Sequence, residues 1–258
     1  MRPLPIAATL LALAAAPLAA QTVAADIAAG DSARCRRDPQ AALAHFRAAL
    51  ALDSLNYEAN WKAARELTDI GKLMPDSLRK RRDTVYADAL ALARRAVRVD
   101  SNAADGHYMV AVAIGRVALT KSARERVRSA GVVRDEAMRA IHIDPQHDGA
   151  LHVMGRWNAE IMRLPGLTKF FAKTFLGASI FNEASWDNAV RYFEDAIHFN
   201  DRNIYHHLDL AEALIDAHRP EEARPQLERV EQLPLGCDPG DPQYKEDAAA
   251  LLAKISRR

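Results

Sequence analysis

The chain has 258 residues, 49% hydrophobic and 27% charged, which is enough for one extended domain or two small ones with a sizeable core. Its 35 Lys and Arg stand against 34 Asp and Glu, which excludes the basic surplus of a general nucleic-acid binder. Alanine is the commonest residue and aromatics make up only 6%, so closely packed helices are expected instead of sheets.

In chain order, the first segment reads as an export signal. Arg2 supplies the positive start, an apolar run follows from Leu4 to Leu18, and the small residues Ala19 and Ala20 precede Gln21. The run is about 15 residues long, short of the roughly 20 needed to span a bilayer as a helix. Cleavage is expected after Ala20, with Ala25 as a second position. It removes Arg2 and leaves a charge-balanced domain over residues 21–258. The expected location is periplasmic or otherwise extracytoplasmic, and no later segment is apolar enough to cross a membrane.

The body of the chain repeats itself. Ala42, Phe46 and Ala49 are matched by Ala189, Phe193 and Ala196, an i, i+4, i+7 spacing that lies on one helical face. Weaker copies are Ala89, Ala93, Ala96, then Val133, Ala137, Ala140, then Ala223, Leu227, Val230. Turn residues close four of the five, at Asp53-Ser54, Asp100-Ser101, Asp144-Pro145 and Asn200-Asp201. The successive offsets are 47, 44, 56 and 34 residues. The last equals the tetratricopeptide (TPR) period, and the other three units carry insertions. Leu151, Met154, Gly155 and His207, Leu210, Ala211 fit the preceding helices, where a small residue lets the paired helix approach. The predicted fold is all-α: a TPR-like solenoid of five helix pairs over roughly residues 24–235. A capping helix follows from about Gln243 to Ser256, with Tyr244, Ala248, Leu251, Leu252 and Ile255 on one face. Cys35 and Cys237 stand near opposite ends. Export permits a disulfide, but solenoid contacts run mainly between neighbouring repeats, so two unpaired thiols are expected.

From His152 onward the sequence resembles a known family. The segments HVMGRW (152–157), EASWDNAVRYFEDAI (183–197) and LPLGCDPGDPQYKEDAAALL (233–252) are similar to the regulator of microtubule dynamics family of TPR proteins, which includes exported bacterial members. The resemblance covers about the last 110 residues well and the front half loosely. It implies a TPR-like domain that acts by binding. Eukaryotic members associate with microtubules or with membranes at organelle contacts, and lipid binding has been proposed for such domains. An exported chain meets no tubulin, so microtubule binding is not carried across. No catalytic residues come with the family.

Several features point to a binding surface. The insertion over residues 163–185 holds Phe170, Phe171, Phe175 and Phe181, with Trp186 just beyond. It either fills the hollow of the superhelix or walls a lipid-like or hydrophobic-peptide ligand, with Phe171 and Phe175 on one face. Arg156 and Trp157, with Asn60, Arg65, His107, Arg116, Asn158 and His207, fall on first helices, which line the concave face of TPR folds. Alternatively, Trp157 packs between repeats and Arg156 pairs with Glu160. The basic runs Arg79-Lys80-Arg81-Arg82 and Lys121, Arg124, Arg126, Arg128 are either solvated faces or a joint anion site. His206-His207, with His198 and His218, lack a metal-ligand spacing. Gly115 to Ser122 fails as a phosphate loop because Thr120 replaces the second glycine, and neither a GxSxG elbow nor an HExxH helix occurs.

The expected function is a non-enzymatic scaffold, without cofactor or metal, that holds a peptide or protein partner on its concave face. The alternative is a carrier of a lipid-like ligand through the aromatic insertion. A third reading is an assembly module that docks through its end repeats.

Overall fold

The computed structural model describes residues 9–118, 122–165 and 179–256. Among these residues there are eleven α-helices and no strand. Five antiparallel pairs follow one another: α1 (Thr9–Cys35) with α2 (Pro39–Leu52), α3 (Tyr57–Leu73) with α4 (Arg79–Val99), α5 (Ala104–Ala118) with α6 (Ala123–Ile143), α7 (Asp148–Arg163) with α8 (Trp186–Phe199), and α9 (Ile204–Asp216) with α10 (Pro220–Gln232). The capping helix α11 (Asp241–Ile255) packs on α10 and α9. This is the all-α repeat solenoid expected from the sequence. Phe170, Phe171, Phe175 and Lys121 lie outside the described residues.

The repeat phase is visible in the core. Phe46, Ala93, Ala137, Phe193 and Leu227 are buried, as are the alanines and Val230 that flank them, whereas Val133 is only half-buried. Small residues on the first helix of a pair receive the large residue of the second. A Cβ on Gly30 would lie 2.5 Å from the Phe46 ring, and one on Gly155 would lie 2.7 Å from the Phe193 ring. Only glycine lets these helices approach so closely.

The turns repeat as well. The carboxylates of Asp53, Asp100 and Asp144 accept from the backbone N–H two residues on, at Leu55, Asn102 and Gln146. These side chains satisfy backbone N–H donors of the turns. The first and fifth pairs use shorter turns, with Arg37 (φ 61°) and His218 (φ 63°) in the left-handed region. There Asp38 N–H returns to Ala33 O and Arg219 N–H to Leu214 O, closing the helix end as a Schellman turn does.

The ends of the solenoid meet. Cys35, at the end of α1, is disulfide-bonded to Cys237, in the loop before α11, 202 residues away. The expectation of two unpaired thiols is overturned. It rested on contacts between neighbouring repeats alone, whereas the superhelix curls far enough to bring its first pair against its cap. Arg37 Nη1 donates to Gly236 O at 3.1 Å across the same seam. Lys72, on α3, donates to the Tyr244 hydroxyl on α11.

Candidate functional site

The closed ring gathers charge on its inner face. Arg34 of α1 bonds to Glu66 Oε1 at 2.9 Å and Asp69 Oδ2 at 2.8 Å on α3. Burial pushes the Arg34 guanidinium down, but Asp69 and Glu66 outweigh it and the net shift is upward. Lys72 lies over the rings of Tyr205 (4.9 Å) and Tyr244 (4.7 Å), which stack at 4.5 Å with an 11° tilt. Burial lowers the Lys72 pKa, Asp238 and Asp69 oppose that, and Arg116 and Arg156 reinforce it. Burial also pushes Tyr205 up to about 12.

Arg156 of α7 joins this inner face to the next repeat. Its Nη1 donates to the Tyr205 hydroxyl and to Asp209 Oδ2 (2.9 Å). The expected local partner Glu160 is farther, at 3.6 Å. Burial raises the Asp209 carboxyl, but Arg156 and then His152 outweigh it and hold it well below the usual carboxylate range. His152 Nε2 lies 3.1 Å from Asp209 Oδ2, off the line of a hydrogen bond. Its Nδ1 meets His206 Nδ1 at 2.9 Å, and His206 Nε2 reaches Asp148 Oδ2 at 2.9 Å. Two ring nitrogens at that distance need one proton between them. Burial drives His152 down to about 4 despite Asp209, so the His152 ring is neutral and shares that proton with His206.

Beside this network is a cleft of about 370 Å³ between α5, α6 and α7. Ala111, Val112, Val133, Val153, Trp157 and Ile161 supply an apolar floor. Among the described residues of its lining, Arg116, Arg126 and Arg156 stand with one carboxylate, Glu160. Arg126 comes from the second basic run and is exposed, as are its Arg124 and Arg128 and Arg79, Lys80 and Arg81 of the first. Among the described residues, neither Arg116 nor Arg126 has a carboxylate within 4 Å. A second hollow of about 590 Å³ lies between α1 and the α2–α3 turn, and its charged lining, Asp31, Asp53 and Glu58, is acidic.

The structure divides the residues nominated from sequence. Arg156 and Trp157 both line the cleft, and the Trp157 indole, 6% exposed, donates to Ala130 O at 2.8 Å. Asn60, His107 and His207 are buried and clasp turns. Asn60 Nδ2 donates to Ser54 O, His107 Nε2 meets Ser101 O and His207 Nε2 meets Asp201 O, each reaching six residues back. The opposite ring nitrogens hold Glu136 and Gln226 on the second helix. Asn158 likewise bonds Met154 O and accepts from Ser185 N–H. Phe181 is buried against Trp157.

Sequence reasoning missed Lys72, Tyr205, Asp209 and Tyr244 as inner-face residues. Their partners lie 49 to 172 residues away, beyond any spacing rule.

The match to known proteins decides the family. Residues 25–256 fit the family described as regulator of microtubule dynamics protein 1-3. The chain belongs to this family. Among curated relatives, regulator of microtubule dynamics protein 1 of Bos taurus is 25% identical over 206 residues, 79% of this chain and 63% of that protein. The Homo sapiens protein of the same name is 24% identical over 200 residues, 77% of this chain and 62% of its own length. The match therefore spans under two thirds of these relatives. Among solved structures, a thermophilic TPR protein of Thermus thermophilus superposes with TM-score 0.66 at 18% identity, over 90% of this chain and 99% of that one. Pseudomonas aeruginosa PilF gives 0.53 at 14%, over 93% and 92%. These likenesses show the TPR fold. Among the described residues no helix is long and apolar enough to cross a membrane.

Proposed function

We propose that this member of the family is a non-enzymatic scaffold that binds a peptide or protein partner in the α5–α7 cleft. One observation carries the reading: beside Arg156, which Asp209 already holds, Arg116 and Arg126 stand around an apolar floor with no carboxylate within 4 Å among the described residues. Such a lining favours a ligand with an apolar body and an anionic end. The free C-terminus of a polypeptide has that form, with Arg116 and Arg126 as carboxylate holders and Trp157 and Val133 against the terminal side chain. Phe171 and Phe175 enter the proposal as a further wall. The family's membership, and the name its relatives carry, accord with a binding role.

The test is a fluorescein-labelled decapeptide ending in Phe-Leu, offered with a free carboxylate or as the carboxamide. A hydrogen bond to a charged group contributes about 1.5–3 kcal/mol, so amidation is expected to weaken binding by at least about tenfold. Arg116→Gln with Arg126→Gln does the same, and Phe171→Ser with Phe175→Ser abolishes retention while leaving the melting temperature nearly unchanged. Equal affinity for both peptides refutes the carboxylate reading. The apolar floor also suits a lipid-like ligand, and retention of oleate without peptide binding favours that second reading.

The proposal places the protein outside the cytoplasm. The family match covers residues 25–256, so processing after Ala20 would leave all of the matched segment in place. N-terminal sequencing of protein from the native envelope should begin at or shortly after Gln21. An intact Met1 in the cytosol ends this reading.

A further inference from the structure

The ring is closed covalently at one point, and that point is on the surface. Cys35 is exposed and Cys237 half-buried. Arg34, Arg36 and Arg37 flank Cys35 in sequence, and Arg37 holds the carbonyl of Gly236, next to Cys237. A disulfide enclosed in a core is out of reach of attacking thiols, but an exposed one beside cations is not. Nearby positive charge lowers a thiol's pKa and so speeds its departure as thiolate.

The bond also bears on the cleft. Across the interior, Lys72 of α3 meets Tyr244 of α11. Tyr244 stacks on Tyr205, the Tyr205 hydroxyl takes a hydrogen bond from Arg156, and Arg156 lines the cleft. An extended polypeptide cannot lie along the inner faces of successive repeats while these contacts cross its path.

We propose that the Cys35–Cys237 bond is a redox latch, opened by a dithiol reductant, whose release loosens the ring and admits polypeptide to the cleft. A thiolate of the reductant attacks the exposed Cys35 Sγ. The Cys35–Cys237 bond breaks and Cys237 leaves as a thiolate. The reductant's second thiol then attacks the mixed disulfide and frees Cys35. The reductant becomes a disulfide, and the two cysteines gain two electrons and two protons. With the latch open, α11 is no longer covalently tied to the end of α1. Tyr244 can then leave Tyr205, and Arg156 loses a fixed neighbour. The gating of the cleft rests on the peptide-binding reading above, whereas the opening of the ring does not.

The experiment compares the oxidised chain, the chain reduced with dithiothreitol, and the Cys35→Ser, Cys237→Ser double variant. Small-angle scattering gives the radius of gyration, and stopped-flow fluorescence follows uptake of the Phe-Leu decapeptide. Far-UV dichroism checks that the helices persist, and reduction of the unmodified chain keeps the test open if the serine variant fails to fold. The expected result is a radius of gyration larger by roughly a tenth in both open forms, with peptide association about tenfold faster. An unchanged radius overturns the latch. A larger radius with an unchanged association rate overturns the gating. A larger radius with no peptide binding in any form overturns the peptide reading and leaves the latch standing.

Discussion

Gly155 and Phe193 form a contact whose energetics can be worked out in advance. A Cβ on Gly155 would sit 2.7 Å from Cδ1 and Cε1 of Phe193, well inside the roughly 3.5–4.0 Å at which carbon atoms attract. The ring has little room to retreat, being 1% exposed and edge-on to His152 at 5.2 Å. Gly155→Ala therefore sets an overpacking cost of about 1–3 kcal/mol against a helix-propensity gain of roughly 1 kcal/mol, and is expected to destabilise. Phe193→Ala leaves a cavity and is expected to cost about 3–5 kcal/mol. In the double variant the ring is gone, so the alanine at 155 meets no clash and its helix gain remains. The double variant should then be more stable than Phe193→Ala alone by roughly 1 kcal/mol. Urea unfolding of the four chains, followed by far-UV dichroism, measures the cycle. If Gly155→Ala costs the same with and without the ring, the two residues do not meet and the assigned repeat phase is wrong.

Three further outcomes are expected. Reduction and alkylation of Cys35 and Cys237 should lower the unfolding free energy by up to about 5 kcal/mol on chain-entropy grounds, since the bond spans 202 residues; calorimetry of both forms reads it. His207→Ala should cost about 1–3 kcal/mol by orphaning Gln226 and the Asp201 carbonyl, with decapeptide affinity per folded molecule unchanged in a titration. Burial keeps His152 neutral down to about pH 4, while the unfolded chain binds that proton near pH 6.5. Between those values the unfolded state holds more protons, so stability should fall as pH drops from about 6.5 to 4. Burial raises Asp148, but His206 and Asn200 outweigh it and hold it at about 2. Its contribution is present above about pH 3.9 and lost as pH falls through about 2. His152→Gln should remove the upper step in chemical unfolding followed against pH.

What the sequence made legible was local. The i, i+4, i+7 pattern of Ala189, Phe193 and Ala196 is set within two turns of one helix, and the same pattern located all five second helices. Arg156 and Trp157 could be nominated because the HVMGRW segment falls on a first helix. The clasps could not be told from ligand contacts. A polar residue such as His107 looks the same on a helix whether it faces a groove or reaches six residues back to Ser101 O. Arg156 showed a plausible partner in Glu160, yet Asp209, 53 residues on, is nearer. The Cys35–Cys237 bond had no local signal either, because it depends on the summed rotation of every repeat between.

That summed rotation changes what kind of solenoid this is. In an open repeat array each unit leans only on its neighbours, and the end units fray because one face lacks a partner. Here the cap segment is partnered by the first pair through Cys35–Cys237 and Arg37–Gly236, and by α3 of the second pair through Lys72–Tyr244. Closure also changes the inner face. A groove open to water solvates its cations, whereas the ring removes water from Arg34 and Lys72 and leaves carboxylates and phenols to replace it. Asp69 and Glu66 do so for Arg34, and the Tyr244 hydroxyl does so for Lys72. Half-buried and without a carboxylate within 4 Å among the described residues, Arg116 stands to gain from an anionic ligand in the same way.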